Sequence, residues 1–186
     1  LVVDHQVPRP DEDAGSVRMN LLLRELVRQG GRVTFACGTD HVSPLDAVRL
    51  GKIGIDVATL QYPLSDRLSD YGSDIDLVIL SRPQICLDVL PDIRRHCPKA
   101  HVAFDTVDLH FVREARRVPA SSTSEAVSNA FREIERAAIA ATDETIVVSE
   151  AEAEVVRSLH LGAETRILPT INETANVVSP PAQRHL

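Results

Sequence analysis

Aromatic residues, methionine and cysteine are scarce in this chain of 186 residues. It contains no tryptophan and one methionine, and aromatic residues make up 3% of it. The core must therefore be built from Leu, Val, Ile and Ala, as the cores around parallel sheets are. The three cysteines are odd in number and none lie at a metal-ligand spacing, so we expect neither a disulfide framework nor a zinc site. This cysteine usage favours a reducing compartment.

Long apolar runs and an excess of positive charge are also missing. No stretch approaches the roughly 20 apolar residues that cross a bilayer, and the sequence predicts no signal peptide. The formal net charge of −7 argues against nucleic acid as the main partner, because a phosphate backbone is bound by clustered Lys and Arg. The length and the hydrophobic fraction of 44% suit one sizeable core. Because the chain starts without Met in an apolar run, we expect a fragment.

Apolar runs that read as strands alternate with helical patterns along the chain. The strand candidates are residues 1–3, 32–36, 55–60, 75–80, 100–104, 145–148 and 165–168. This alternation predicts an α/β fold, a Rossmann-like doubly wound, mostly parallel sheet of six or seven strands with helices on both faces. We expect one domain over 1–170 and a linker or tail over 171–186. Residues 61–74 are polar and rich in turn formers, and we assign them no element.

Helix boundaries are marked by capping residues. Ser43 is typical of an N-cap. Ser149 and Glu152 have the spacing of a capping box, in which each side chain accepts from a backbone N–H of the other residue. Gly30 follows the first helical pattern, where glycine adopts a left-handed conformation at little cost. Pro91 lacks an N–H, so we expect it to break or kink its helix.

Polar clusters follow several strands at the same edge of the predicted sheet. Parallel sheets bind ligands outside the carboxyl ends of their strands. The clusters are residues 4–16, Ser81 with Arg82, and residues 105–113. We predict catalytic roles for His110 and Asp108 and no metal ligands. The candidate substrate-binding residues are Asp13, Gly15, Ser16, Arg18, Arg82, Asp105 and Arg113.

Gly15 and Ser16 open the first helix, whose N–H groups and positive dipole end favour an anion. The loop before them lacks the G-x-G-x-x-G spacing and no Walker lysine follows, so a dinucleotide or P-loop site is not indicated. The acids at 11–13 can contact a ligand or simply solvate the loop and favour the helix dipole.

His110 follows a buried strand and has Asp105 and Asp108 nearby in sequence. A histidine in this setting can orient a sugar hydroxyl or transfer a proton, or it can cap a loop. Arg82 and Arg113 can bind phosphate through bidentate contacts, or form a solvated basic face.

The chain resembles the N-terminal domain of GT-B glycosyltransferases, in particular the group 1 (family 4-like) enzymes that build bacterial surface polysaccharides. The resemblance covers nearly the whole chain. It is carried by the order and spacing of VVDHQVPRPDEDAGSVRMNLLLRELVRQGGRVTFA, DLVILSRP, FDTVDLHFVREARR and ERAAIAATDETIVVSEAEAEVV.

The resemblance implies an acceptor-binding half that faces a nucleotide-sugar-binding C-terminal domain across a cleft. Gly15 corresponds to the family's glycine beside the donor phosphate or sugar, and His110 to the histidine near the transferred sugar. Many members carry two adjacent glycines where this chain has Gly15 alone. The nucleotide-sugar is a substrate, and no cofactor or bound metal is implied. The expected enzyme is cytoplasmic and acts on a glycan or lipid-linked acceptor, in some cases peripherally at the inner membrane face. The C-terminal domain is missing, so we expect this half alone to be inactive.

Three alternatives stay open at this point. The chain can be a non-catalytic ligand-binding module of flavodoxin-like or response-regulator-like architecture, in which Asp4 would be the phosphoacceptor. It can be half of another GT-B enzyme, such as a nucleotide-sugar 2-epimerase. A purely structural interaction domain would leave the polar edge unexplained.

Overall fold

The computed structural model describes residues 1–38, 42–59, 64–116 and 122–169. In this part the strands are β1 (Val2–Asp4), β2 (Val33–Cys37), β3 (Ile55–Thr59), β4 (Leu77–Ser81), β5 (His101–Asp105), β6 (Glu144–Val147) and β7 (Glu164–Ile167). The helices are α1 (Ala14–Arg28), α2 (Pro44–Gly51), α3 (Leu64–Tyr71), α4 (Pro83–His96), α5 (His110–Ala115), α6 (Ser122–Ala141) and α7 (Glu150–Ser158), and a 3₁₀ turn spans Gly72–Asp74.

The seven strands form one sheet in the order β3-β2-β1-β4-β5-β6-β7, and every pairing in it is parallel. This confirms the predicted α/β Rossmann-like fold. The order continues the doubly wound arrangement 3-2-1-4-5-6 and differs from the 2-1-3-4-5 order of flavodoxin-like domains. The flavodoxin-like alternative is therefore not the architecture of this chain. The direction of winding reverses between β1 and β4, which opens a crevice at their carboxyl ends.

Helices cover both faces of the sheet. Successive side chains of a strand point to opposite faces, so Val2 and Val3 of β1 enter two different core clusters. Met19 and Leu23 of α1 belong to the cluster around Val2, and Ile93 of α4 belongs to the cluster around Val3. The shortage of aromatics is thus met by aliphatic layers on each side of a parallel sheet.

Two local features differ from or add to the prediction. The polar segment 61–74, to which no element was assigned, contains α3, whose Leu68 is buried in the core. Pro91 does not break its helix, because α4 runs from Pro83 to His96, 14 residues that include Pro91. Burial of Leu90 and Ile93 on either side of the proline anchors the helix despite the missing N–H. The predicted tail, 171–186, lies outside the described residues.

The predicted caps are confirmed at two helices, with one difference. Ser43 caps α2, and the Ser149 hydroxyl accepts from the backbone N–H of Glu152 at 3.3 Å. The Glu152 carboxylate does not return the bond to Ser149. It accepts from the N–H groups of Val148 and Leu109, each at 3.3 Å, and so joins α7 to the loop after β5.

The thiol of Cys86 is a measurable probe of the sealed core. Cys86 is fully buried, and desolvation raises its pKa to about 12. We expect no alkylation of this thiol by iodoacetamide at mildly alkaline pH in the native protein, and rapid alkylation in urea, followed by peptide mass spectrometry. Equal rates in both states would contradict the described packing.

Candidate functional site

Four strands bring polar residues to the carboxyl edge of the sheet. We define the carboxyl-edge lip as Asp4 and His5 after β1, Asp13 and Gly15 at the start of α1, and Arg82 after β4. The ends of β4 and β5 adjoin, because the N–H of Arg82 donates to the carbonyl oxygen of Asp105 at 3.1 Å, and the N–H of Thr106 joins β5 to β6 by donating to the carbonyl oxygen of Ile146 at 3.1 Å. The contact of Asp4 with Arg82 joins the loops after β1 and β4. The predicted convergence of loops at the edge is therefore present for these four strands.

An ion pair spans the crevice between β1 and β4. The carboxylate of Asp4 is nearly buried and accepts from the Arg82 Nε at 2.8 Å. The same oxygen accepts from the backbone N–H of His5 at 2.6 Å and lies 3.2 Å from the His5 Nδ1. The His5 side chain is 41% exposed and that of Arg82 27% exposed, so both present atoms to a ligand. Arg82 was predicted from the sequence as a substrate-binding residue, whereas Asp4 was considered only as the phosphoacceptor of the binding-module alternative and His5 only as a polar residue of the loop.

Two residues at this edge have a strained backbone. Arg82 has φ of +74° and Val107 has φ of +62°. A positive φ is uncommon for any residue with a Cβ and unusual for a β-branched one. Such conformations cost about 1–3 kcal/mol each and gather at functional sites. Both strained residues follow strand ends beside the lip, which marks this edge independently of its polar side chains.

A buried ion pair lies beneath the lip. The carboxylate of Asp105 accepts from the Arg18 Nη1 at 2.7 Å and from the Ser81 hydroxyl at 3.2 Å. The side chain of Asp105 is 0% exposed and that of Arg18 is 3% exposed. Arg18 and Asp105 were predicted to bind substrate, but here they hold α1 against β5 and β4. Direct contact of either side chain with substrate stays a prediction.

Asp13 and Ser16 form the N-cap of α1. The Asp13 carboxylate accepts from the Ser16 N–H at 2.8 Å and from the Ser16 hydroxyl at 2.7 Å. These hydrogen bonds lower the pKa of Asp13, and the nearby charge of Arg82 lowers it further. A methyl group on Gly15 would lie 3.1 Å from the Asp13 Oδ1 and 3.7 Å from the Val107 Cγ1. The first helix and the loop after β5 therefore meet at Gly15.

His110 lies at the start of α5, three residues along the chain from Val107. Its side chain is 8% exposed, and its Nδ1 is 3.1 Å from the Glu135 Oε1 of α6. The Nε2 of His110 lies 3.8 Å from the Asp108 Oδ1. Asp108 accepts two bonds from the Arg113 Nη1, at 2.8 and 3.0 Å. The side chain of Asp108 is 35% exposed and that of Arg113 is 48% exposed. The histidine is thus more enclosed than the sequence suggested.

The structure brings all nine predicted site residues to one edge, in two layers. The buried residues are Ser16, Arg18, Asp105 and His110, the partly exposed ones are Gly15, Arg82 and Asp108, and the exposed ones are Asp13 and Arg113. Sequence reasoning missed Glu135. Its signal was present, because Phe131, Glu135 and Ile139 lie four residues apart and so share one face of α6.

A cavity of about 890 Å³ lies away from this edge. It opens at the amino ends of the strands, among Leu1, Val33 and Leu77, which is opposite to where such sheets bind ligands. Within the described ranges, no group of three or more His, Cys, Asp or Glu side chains could hold a metal ion.

The chain was compared with known proteins. No model of a protein family matches it, and no curated protein matches it either. The function must therefore be argued from the geometry of the carboxyl edge.

Substitution of Asp13 tests its cap. We expect Asp13→Ala to lower the free energy of unfolding by about 1 kcal/mol, because the helix loses its N-cap. Asp13→Asn should lose less, because an amide oxygen still accepts from Ser16. The pKa of Asp13 is lowered from its ordinary value of 3.8. The ionised carboxylate therefore stabilises the fold fully at pH values above 3.8, and this stabilisation is lost as the pH falls through the lowered pKa. Urea titrations of the three proteins at neutral and acid pH should therefore show a smaller acid loss in Asp13→Asn. An equal acid loss would contradict this assignment.

The pair of Arg18 and Asp105 can be tested with a double-mutant cycle. Removing one partner leaves an uncompensated buried charge, so Asp105→Ala should cost about 3–5 kcal/mol. The double variant with Arg18→Met should cost less than the sum of the single variants. The control is Arg28→Met, which breaks an exposed pair with Glu25 and should leave the urea midpoint nearly unchanged. Additive effects of Arg18 and Asp105 would contradict the coupling.

Proposed function

We propose that this domain is the acceptor-side half of a glycosyltransferase. It would transfer a sugar from a nucleotide-sugar to a glycan or lipid-linked acceptor in surface polysaccharide biosynthesis, together with a C-terminal donor-binding domain. The observation that carries the proposal is the carboxyl-edge lip with His110 beside it, at the strand reversal where doubly wound sheets bind ligands. Sheet geometry alone would not require charged and strained residues at that edge.

The chemistry of the lip suits sugar hydroxyls. A hydroxyl both donates and accepts a hydrogen bond, and the lip offers acceptors on Asp4 and Asp13 next to a donor on Arg82. These three charges sum to −1, so the lip does not favour an anion such as a phosphate group. His5 adds a ring nitrogen that can serve either role according to its tautomer.

The cap on α1 refines the proposal. A free helix N-terminus favours a phosphate group, as the resemblance implies for Gly15. Here the Asp13 carboxylate already accepts from Ser16 in the first turn and adds a negative charge. A second anion is disfavoured at that position. The proposal therefore assigns hydroxyl groups of a sugar to Asp13 and Gly15, and leaves the diphosphate to the donor-binding domain.

The proposed location is the cytoplasm, with peripheral contact at the inner membrane face when the acceptor is lipid-linked. Among the helices in the described part of the chain, none has the length and apolar character needed to span a bilayer. The proposed contact of this domain with a membrane is peripheral.

The test uses the full-length gene product that contains this chain. Its purified form is incubated with a panel of nucleotide-sugars and glycan or lipid-linked acceptors, and transfer is followed by mass spectrometry. We expect transfer of a hexose, and we expect His110→Ala to reduce kcat by about 10²–10⁴-fold, the range for loss of a group that assists proton movement. His101→Ala is the matched control, since His101 lies at the amino end of β5, opposite to the edge from which the chain leads to His110.

The outcomes separate the remaining functions. Full activity of His110→Ala would remove this residue from the proposed site. Interconversion of a nucleotide-sugar without an acceptor would favour the 2-epimerase alternative. Saturable sugar binding without turnover for any donor would favour a binding module and overturn the proposal.

A further inference from the structure

We infer that Glu135 is a positioning residue that fixes the tautomer and the ring orientation of His110. This inference rests on the proposed function, because the use of His110 in sugar transfer gives the orientation its purpose. The two side chains come from different elements, α5 and α6, and are 25 residues apart in sequence.

The carboxylate of Glu135 is completely buried and contacts two backbone N–H groups and one ring nitrogen. Its Oε1 accepts from the backbone N–H of His110 at 2.8 Å and lies 3.1 Å from the His110 Nδ1. Its Oε2 accepts from the backbone N–H of Phe111 at 3.0 Å. Each oxygen therefore accepts one backbone N–H, and Oε1 also lies beside the imidazole ring. Leu109 at the N-cap of α5 has no side-chain capping bond, so Glu135 provides the acceptor for the first N–H groups of the helix, while Glu152 accepts from the N–H of Leu109 itself.

The imidazole ring of His110 is also held on its flat side. It stacks on the ring of Phe131, with centroids 5.2 Å apart and an angle of 17° between the planes. Phe131 lies one helical turn before Glu135 on α6. One helix therefore supplies both the carboxylate at the ring edge and the aromatic ring beneath it.

The chemistry of the ring follows from the bond at Nδ1. An ionised carboxylate can only accept, so Nδ1 must carry the proton when the ring is neutral. Nε2 then has a free lone pair. It faces Asp108 at 3.8 Å, which is too long for a direct hydrogen bond. A hydroxyl placed between these groups could donate to Nε2 and lie beside Asp108. Glu135 would also stabilise the ring if it became positively charged.

The buried carboxylate has a structural effect that the test must separate from positioning. Loss of Glu135 would uncap α5 and weaken its contact with α6. Ser128 provides a matched control, because its hydroxyl donates to the carbonyl of Phe111 at 3.0 Å and also ties α6 to α5, without contact to the His110 ring. Ser128→Ala should weaken the same contact and leave the ring nitrogens as they are.

The experiment measures the tautomer directly on residues 1–186. The ¹⁵N shifts of the His110 ring are recorded at alkaline pH for the wild type, Glu135→Gln and Ser128→Ala. We expect the Nδ1–H form in the wild type and in Ser128→Ala, and a mixture of tautomers in Glu135→Gln. An Nε2–H form in the wild type would overturn the inference even if Glu135→Gln does not fold. An unchanged tautomer in a folded Glu135→Gln would overturn it as well.

Kinetics of the full-length protein give the second measurement. Glu135→Gln should reduce kcat by about 10- to 100-fold with little change in KM, as loss of a partner that orients a functional histidine does. Equal kcat values for Glu135→Gln and Ser128→Ala would contradict a role in positioning for catalysis. If no sugar transfer is found with any variant but the tautomer shifts as expected, the proposed function fails and the structural inference stands.

Discussion

The buried bond between Arg18 and Asp105 holds the carboxyl edge of the sheet together. It joins residues 87 positions apart and fixes α1 to the end of β5, while Ser81 ties the same carboxylate to β4. A buried pair is stable only while each charge keeps its partner. The positions of Gly15, Arg82 and Val107, which surround this pair, therefore depend on it. The lip residues thus lie above a buried ion pair that holds the elements carrying them.

The two layers divide the work of the site. The buried layer, formed by Arg18, Asp105 and Glu135, makes its bonds within the protein and fixes the geometry. The outer layer, with His5 and Arg82, has exposed side-chain atoms that a ligand can contact. A site of this kind is organised before a ligand arrives, which lowers the entropy that binding must overcome. The strain at Arg82 and Val107 can persist because the surrounding bonds hold both residues in place.

Sequence periodicity was sufficient for the sheet and for the location of the edge, because apolar runs and capping residues such as Ser43 act locally. It failed where tertiary contacts decide the outcome. Pro91 was expected to break or kink a helix that in fact continues to His96, and the Glu152 carboxylate accepts from Leu109 across the fold in place of the predicted bond to Ser149. The role of Glu135 depends on α6 packing against α5, a contact that no local pattern specifies.

The long sequence separations at the edge have a consequence for synthesis of the chain. The first strand lies in the middle of the sheet and pairs with β4, and the partner of His110 lies on α6. A nascent chain of one hundred residues contains Arg18 but not its partner Asp105. A chain that ends before α6 contains both of these residues and His110, but it lacks Glu135, the partner of His110. The two bonds therefore form at successive stages of synthesis, and the environment of His110 is completed last.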